Sequence, residues 1–358
     1  MLVWSDNQIP KFSEGYGYTP DCLWEHIGSS GLPIRRNKPS LPEEIGRLQA
    51  NVPGLGYFQR GHFADEIVIN HSVPDMFVKS KLYTIGYTFW ETNKLPEDWV
   101  TRCNEMDEVW TTTHAMRDVF INSGITKPVY EFKLGVDPKI YFPKKRTPHD
   151  QFTFLSVGSP ATRKNSQLSV DAFLKVFEGN RNYRLIYKSN GPPDARIWTS
   201  GMIGPVNHPQ IQVIDDEVSH EELGAIYDKA DCLLFPTSGE GWGNIPFQGI
   251  AKGIPTICTN VLACSDFAHM SVPLDFTWGT KNMAGRYSNA GQWGEPDFDD
   301  LCDKMLYVAN NYEEVSNKTY QSAEYINKNM TWEKVSQKYI DRCWEVLKET
   351  GNLWKYII

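Results

Sequence analysis

No stretch of the 358-residue sequence holds about 18 consecutive apolar residues, the length a helix needs to cross a bilayer, so a spanning helix is not expected. The N-terminal MLVWSDNQIPKF lacks the basic flank and apolar run of a secretory signal, which predicts a cytoplasmic protein. Seven cysteines, at 22, 103, 232, 258, 264, 302 and 343, form no CxxC pair and are odd in number. That argues against a zinc site and a disulfide framework, and no metal-ligating set is read in the chain. The sequon Asn317-Lys318-Thr319 then carries no weight, because glycosylation would need the secretory pathway. Basic residues are also in deficit, 36 against 44 acidic, for a formal net charge of −8. Such a charge offers no global attraction to nucleic acid or an anionic membrane, although a local basic cleft fits within that average. Low-complexity runs and fixed-period repeats are missing, which excludes solenoids and propellers. What is present is 41% hydrophobic residues, 13% aromatics, and a length too great for one ordinary core. Two globular domains of comparable size are expected, and two domains make a cleft.

The second half alternates strands with helices. FTFLSVG (152–158) is a buried-strand run, and NSQLSVDAFLKVFEG (165–179) is helical, apolar at Leu168, Ala172, Phe173, Val176 and Phe177, with Asn165 read as its N-cap. Further strands are predicted at 184–189, 211–215, 231–236 and 254–260. Ser219 and Glu222 form a capping box before EELGAIYDKA, and a short helix is expected from about Asn244 to Lys252, closed by Gly253. This βαβ series predicts a parallel sheet with helices on both faces. The first half reads similarly, with strands at 66–72, 81–89, 107–113 and 129–135. PKKRTPHD (143–150), polar with two prolines, is the best linker and sets the expected domains at 1–148 and 149–330. A final amphipathic helix within 331–358 is expected to pack back on the first domain.

Chemistry concentrates in SGEGWGNIPFQ (238–248), at the carboxyl end of a strand, where ligands of open parallel sheets sit. Glycines at 239, 241 and 243 let backbone amides approach a ligand, and the helix starting near Asn244 aims its unpaired amides at the same place. An anion such as phosphate suits that site. Glu240 would repel a phosphate placed directly on it, so its carboxylate fits hydroxyl groups beside the phosphate, and Gln248 suits a ribose diol. The same letters also fit a glycine-rich turn with a solvated Glu. SPATRKN, after strand 152–158, puts Arg163 and Lys164 before another helix start, where adjacent cations could hold a diphosphate and neutralise a leaving group. An ordinary solvated pair is the alternative.

EGWGNIPFQGIAKGIP (240–255) resembles the donor-domain motif E-G-F/W-G-x-P-x-x-E followed by A-x-G-x-P of the retaining GT-B nucleotide-sugar glycosyltransferases of family 4. SVGSPATRKNSQLSVDAF looks like that family's first donor-domain strand, cationic loop and helix. Residues 91–99, 107–113, 133–143, 291–301 and 331–339 look like further pieces in the family's order. The resemblance implies an α/β GT-B fold, two Rossmann-like domains with parallel sheets facing across a cleft, and a nucleotide-diphosphate sugar, UDP- or GDP-linked, as donor without a required cofactor or metal. It implies that Glu240 binds sugar hydroxyls, Gln248 the ribose, and Arg163 with Lys164 the diphosphate. Gly241, Trp242, Gly243, Asn244, Ile245 and Gly158 line the donor, and the backbone at Val213 and Ile214 meets the base. SEGYGYTPDCLWEHI (13–27) looks like the family's first glycine loop and helix, which brings Gly15, Tyr16 and Gly17 to the phosphates or acceptor.

Two departures stand out. The family's second Glu is Gln248, which removes a charge and keeps a hydrogen-bonding group of similar shape. Where many members carry a His after a strand end, YTFWE puts Trp90 and Glu91, which become candidates for the acceptor or sugar side. His71, at another strand end, is the candidate to face the cleft in that residue's place, a structural histidine being the alternative. Retention fits a front-face substitution in which the leaving phosphate accepts the acceptor's proton. A GT-A architecture would need a metal-binding DxD, which Asp297-Phe298-Asp299 matches in letters, but these residues open a predicted helix and read better as its cap. The expected activity is transfer of a hexose or pentose to a hydroxyl acceptor: a glycan, a small molecule or a modified nucleic-acid base. A non-catalytic nucleotide- or sugar-binding module is the competing class.

Overall fold

The computed structural model describes residues 2–6, 14–37, 67–158, 162–189, 208–281, 283, 285–288 and 290–351. The chain forms two compact units, one of Met1–Trp90, Lys94–Gly135 and Trp332–Ile358, the other of Glu91–Asn93 and Val136–Thr331.

The first unit is built on a six-stranded sheet of β1 (Leu2–Asp6), β2 (Ile34–Asn37), β3 (Ile67–His71), β4 (Thr84–Tyr87), β5 (Glu108–Thr111) and β6 (Val129–Glu131). Every pair is parallel, in the order β2-β1-β3-β4-β5-β6. Leu2, Val3, Ile67, Val68, Ile69 and Ile85 are fully buried, the near-continuous apolar pattern of strands covered on both faces. Its helices include α1 (Glu14–Ile27), α2 (Glu97–Asn104) and α3 (His114–Asn122). Of the glycine loop and following helix expected over 13–27, the helix is present and already includes Gly15, Tyr16 and Gly17 in its first turn, with Pro20 further along it. The side chains of residues 14–17 lie outside the described residues.

The second unit carries β7 (Phe152–Val157), β8 (Tyr183–Lys188), β9 (Ile211–Ile214), β10 (Cys232–Phe235), β11 (Thr256–Thr259) and β12 (Val272–Leu274), again all parallel, in the order β12-β11-β10-β7-β8-β9. This is the doubly wound Rossmann order, which reverses direction between β7 and β10. An antiparallel hairpin, β13 (Phe276–Gly279) with β14 (Trp293–Pro296), stands apart from that sheet. The helices are α4 (Ser166–Phe177), α5 (His220–Tyr227), α6 (Asn244–Ala251), α7 (Phe298–Asn310) and α8 (Tyr312–Asn329). Phe154, Phe173, Phe177, Leu185, Leu234, Leu301 and Met305 form the core between sheet, α4 and α7. Residues 143–150 are tied to this unit through Arg146 on Asp228 at 2.8 Å and His149 on Asp231 at 2.8 Å.

Local signals behave in two ways. Ser219 and Glu222 close their reciprocal cap on α5, and Asp297 accepts from the Asp300 amide at 2.9 Å, capping α7. Asn165 is a correction. It stands before α4 with φ 50°, in the left-handed region, and its side chain makes no helix cap. Its Nδ2 instead donates to Pro236 O and Ser238 Oγ, each at 2.8 Å, so the residue joins two loops.

The last helix, α9 (Trp332–Glu349), belongs to the first unit. Tyr339 Oη lies 2.7 Å from Tyr87 Oη, and Arg342 Nη2 reaches the fully buried Glu108 at 2.6 Å. Among the described residues, no helix is long and apolar enough to cross a membrane.

Candidate active site

Where a parallel sheet reverses its strand order, the two loops leaving the carboxyl ends of the central strands diverge and open a crevice. In the second unit the described residues there are Gly158 and Thr162–Asn165, after β7, and the segment from Pro236 to Gly243, after β10. They are stitched together: the Ser238 amide donates to Arg163 O at 2.8 Å, and Asn165 bonds Pro236 and Ser238 as above.

The stitching brings Glu240, Arg163 and Lys164 onto one atom. Glu240 Oε1 accepts from Arg163 Nη1 at 2.6 Å, Lys164 Nζ at 2.7 Å and Thr237 Oγ1 at 2.9 Å. The three charged side chains are 8%, 20% and 14% exposed in that order, so the interactions are little screened. Burial pushes the Glu240 carboxyl up, but Arg163 and Lys164 outweigh it and hold the group at about 2. Burial pulls the Lys164 ammonium below its ordinary range, opposed by Glu240 and reinforced by Arg163. Burial likewise works against the Arg163 charge, and Glu240 and Glu91 override it and raise its pKa. The expectation of a carboxylate for the sugar beside two separate cations thus becomes a closed ion cluster, in which the cations are engaged by the acid next to them.

Two glycines make this packing feasible. A Cβ on Gly239 would stand 2.0 Å from Glu91 O, and Gly243 has φ +99° with Cys264 Sγ 2.9 Å from where its Cβ would be. Gly241 and Trp242 follow Glu240 directly, and Trp242 packs on Phe247 and Phe267 with its Nε1 buried and without a partner among the described residues. Asn244 opens α6, and Ile245 O accepts from Tyr227 Oη at 3.0 Å. Gln248 is 4% exposed, and its Oε1 is also buried without a partner among the described residues. Gly158 donates its amide to Lys188 O at 3.0 Å and lies open toward the Lys164 stem. Val213 and Ile214 sit on β9, two strands from β7 and outside the ion cluster.

The remaining candidates divide. Glu91 is in the second unit, with Oε1 3.9 Å from Arg163 Nη2 and Oε2 accepting from Tyr287 Oη at 3.0 Å. Trp90 and His71 are buried residues of the first unit. Trp90 is fully buried, edge-on to Trp99, and donates to Lys94 O at 2.8 Å. His71 is 1% exposed, packs against Trp4, Tyr87 and Phe89, and has Nδ1 3.6 Å from Asp6. Sequence reasoning missed Thr237, Tyr287 and Lys281, the last bonding Asn165 Oδ1 and Glu295, each at 3.1 Å. Only Thr237 had a usable signal, lying three residues before Glu240 in a loop that turns back on itself.

Residues 111–339 match the family described as Family 4 Glycosyltransferase in conflict systems. The chain belongs to that family. Arg163, Lys164, Glu240 and Gln248 of this glycosyltransferase all fall in the matched stretch, and Glu91 falls outside it. A GDP-mannose-dependent alpha-(1-6)-phosphatidylinositol dimannoside mannosyltransferase of Mycobacterium tuberculosis is 24% identical over 243 residues, 64% of this chain and 59% of its own. The glycosyltransferase thus spans less than two thirds of that curated relative. Sucrose-phosphate synthase from Thermosynechococcus elongatus superposes with a TM-score of 0.68 at 13% identity, covering 97% of this chain and 99% of that one. A trehalose-6-phosphate synthase gives 0.65 at 12% identity, covering 96% and 98%. With the two parallel sheets, these likenesses show the GT-B fold of two Rossmann-like domains.

Proposed function

We propose that this glycosyltransferase moves a hexose from a nucleotide diphosphate to a hydroxyl acceptor with retention and without a metal. The observation that carries the reading is the convergence of Arg163, Lys164 and Glu240 at the switch point of a Rossmann sheet. The donor diphosphate takes over Arg163 and Lys164, which are largely buried cations held in place, and they stabilise the charge that the leaving group gains. Glu240, released from them, accepts hydrogen bonds from sugar hydroxyls while Thr237 keeps hold of it. The Gln248 amide, whose Oε1 has no partner among the described residues, binds the ribose, and the first amides of α6 face the phosphates. In the front-face step the bond from the anomeric carbon to the phosphate oxygen breaks and that from the acceptor oxygen forms on the same side. The acceptor proton passes to the leaving phosphate, so the protein supplies positioning and electrostatics.

The letters of a metal-binding DxD at 297–299 serve as the cap of α7, which supports neutralisation by the two side-chain cations. The mycobacterial relative is GDP-mannose-dependent by name, so GDP-mannose heads the donors to test, followed by UDP-linked hexoses. Incubation with a panel of UDP- and GDP-sugars is expected to show binding or slow donor hydrolysis with at least one. Silence across the panel would overturn the reading. Transfer to no fraction of a cell extract, despite tight donor binding, would favour the non-catalytic binding module.

A further inference from the structure

The strap Glu91–Asn93 lies between stretches of the first unit in sequence and belongs to the second. Thr92 Oγ1 donates to Ala290 O, the Asn93 amide to Gln292 O at 3.2 Å, and the Gln292 amide to Asn93 Oδ1 at 2.7 Å. Gly239 gives way to the strap's own carbonyl. A segment held this closely fixes where its one acid points. The groups facing Glu91 are Arg163 and Lys164 from the segment after β7, Glu240 from the loop after β10, and Tyr287 from 285–287, where Arg286 is the neighbouring charge.

The four charged side chains in the cluster itself, Arg163, Lys164, Glu91 and Glu240, are two cations and two carboxylates, a neutral set in which each is at most a fifth exposed. A sugar nucleotide brings about two further negative charges to Arg163 and Lys164, and buried carboxylates that lose their cations are relieved most readily by taking up a proton. The two acids are not equivalent. Glu240 has three donors on one oxygen, whereas Glu91 has one phenol and an ion pair stretched to 3.9 Å.

We propose that Glu91 takes up a proton when the donor diphosphate binds, and that as a neutral acid it turns its Arg163-side oxygen into a hydrogen-bond donor toward the phosphate. Burial already pushes the Glu91 carboxyl above the ordinary glutamate range, against the pull of Arg163, which agrees with that assignment. The donor site therefore includes an acid from outside the matched family stretch, and donor affinity falls as pH rises. The inference rests on the proposed donor site.

The test is titration calorimetry of the full chain with GDP-mannose and UDP-glucose in buffers of different ionisation enthalpy near neutral pH. The phosphates of these diesters do not titrate there, so any proton exchanged belongs to the protein. Uptake approaching one proton per donor is expected, with affinity weakening by up to about tenfold per pH unit as the solution is made more alkaline. Glu91→Gln, which keeps the acceptor for Tyr287, is expected to abolish the uptake and flatten the pH profile. Donor binding without uptake, or uptake that persists in Glu91→Gln, would overturn the role of Glu91 and leave the donor site standing. No binding of either sugar nucleotide at any pH would overturn the donor site, and Glu91's role with it. The wild-type proton count needs no variant, so donor binding without uptake overturns the role of Glu91 even if the substitution impairs folding.

Discussion

Replacing Glu240 by Gln should make the second unit less stable and at the same time make it bind pyrophosphate more tightly. The carboxyl is held at about 2 against an ordinary 4.5, which at roughly 1.4 kcal/mol per pH unit amounts to about 3 kcal/mol of stability at neutral pH. The sign follows from the depressed pKa: this stability is fully present above about 4.5 and is lost as pH falls toward about 2. Gln keeps the shape and the Thr237 contact but leaves Lys164 without a carboxylate and Arg163 with only Glu91, 3.9 Å away. Breaking a buried ion pair from one side costs about 3–5 kcal/mol, of the same order. The cations so released no longer have to be won from Glu240, so pyrophosphate affinity should rise about 10- to 100-fold, one decade for each 1.4 kcal/mol recovered. Donor turnover should move the other way, losing about 2–4 kcal/mol of transition-state stabilisation as the sugar loses its acceptor. Urea denaturation at neutral and acid pH, pyrophosphate calorimetry and donor hydrolysis read the three effects separately. A variant as stable as the wild type, with no gain in pyrophosphate affinity, would refute the idea that Glu240 and the phosphates compete for the same two cations.

In the first unit, Arg342→Met leaves the fully buried Glu108 with Trp110 Nε1 and Tyr83 Oη as its donors among the described residues, and a loss of about 3–5 kcal/mol in urea denaturation is expected. Adding Glu108→Gln should recover part of it, and strict additivity would argue against a coupled pair. Gly239→Ala sets a methyl group 2.0 Å from Glu91 O, so the strap must shift, and stability should fall by about 1–3 kcal/mol with weaker donor binding; unchanged donor binding would show that the close approach is dispensable.

The parallel strands were legible because burial on both faces writes them as short continuous apolar runs, as in FTFLSV and CLLF. Their order was not, since β7 and β10 are neighbours across an interval of nearly 80 residues and no local signal records the pairing. That same adjacency closes the Glu240 cluster, so its residues could be named from motifs while their shared oxygen could not. The first turn of α1 was not legible because Gly15 and Gly17 lower intrinsic helix propensity there. His71 and Trp90 are ambiguous in the sequence for a different reason. Polar or amphipathic side chains at strand ends serve a ligand or a core equally well, and here their partners, Asp6 and Lys94 O, are internal. Tyr287 and Lys281 sit in a non-periodic stretch between the hairpin strands, where sequence patterns say nothing about contacts.

The two departures from the family motif acquire a common sense once Glu91 is placed. The motif would put a second Glu where α6 carries Gln248, and many members carry a His where this chain has Trp90 and Glu91. One carboxylate is lost from α6 and one is gained on the strap, and the gained one lies beside Arg163 instead of one turn inside a helix. Had Glu stood at 248 as well, a third acid would have entered a unit whose switch point already balances two acids against two cations, and self-repulsion would oppose every anionic donor. In the proposed donor site, Gln at 248 would offer the ribose hydrogen-bonding groups without the charge, and the acid would stand where a proton can neutralise it as the diphosphate arrives. On this view Gln248 and Glu91 are one change made in two places, and neither is interpretable from the motif alone.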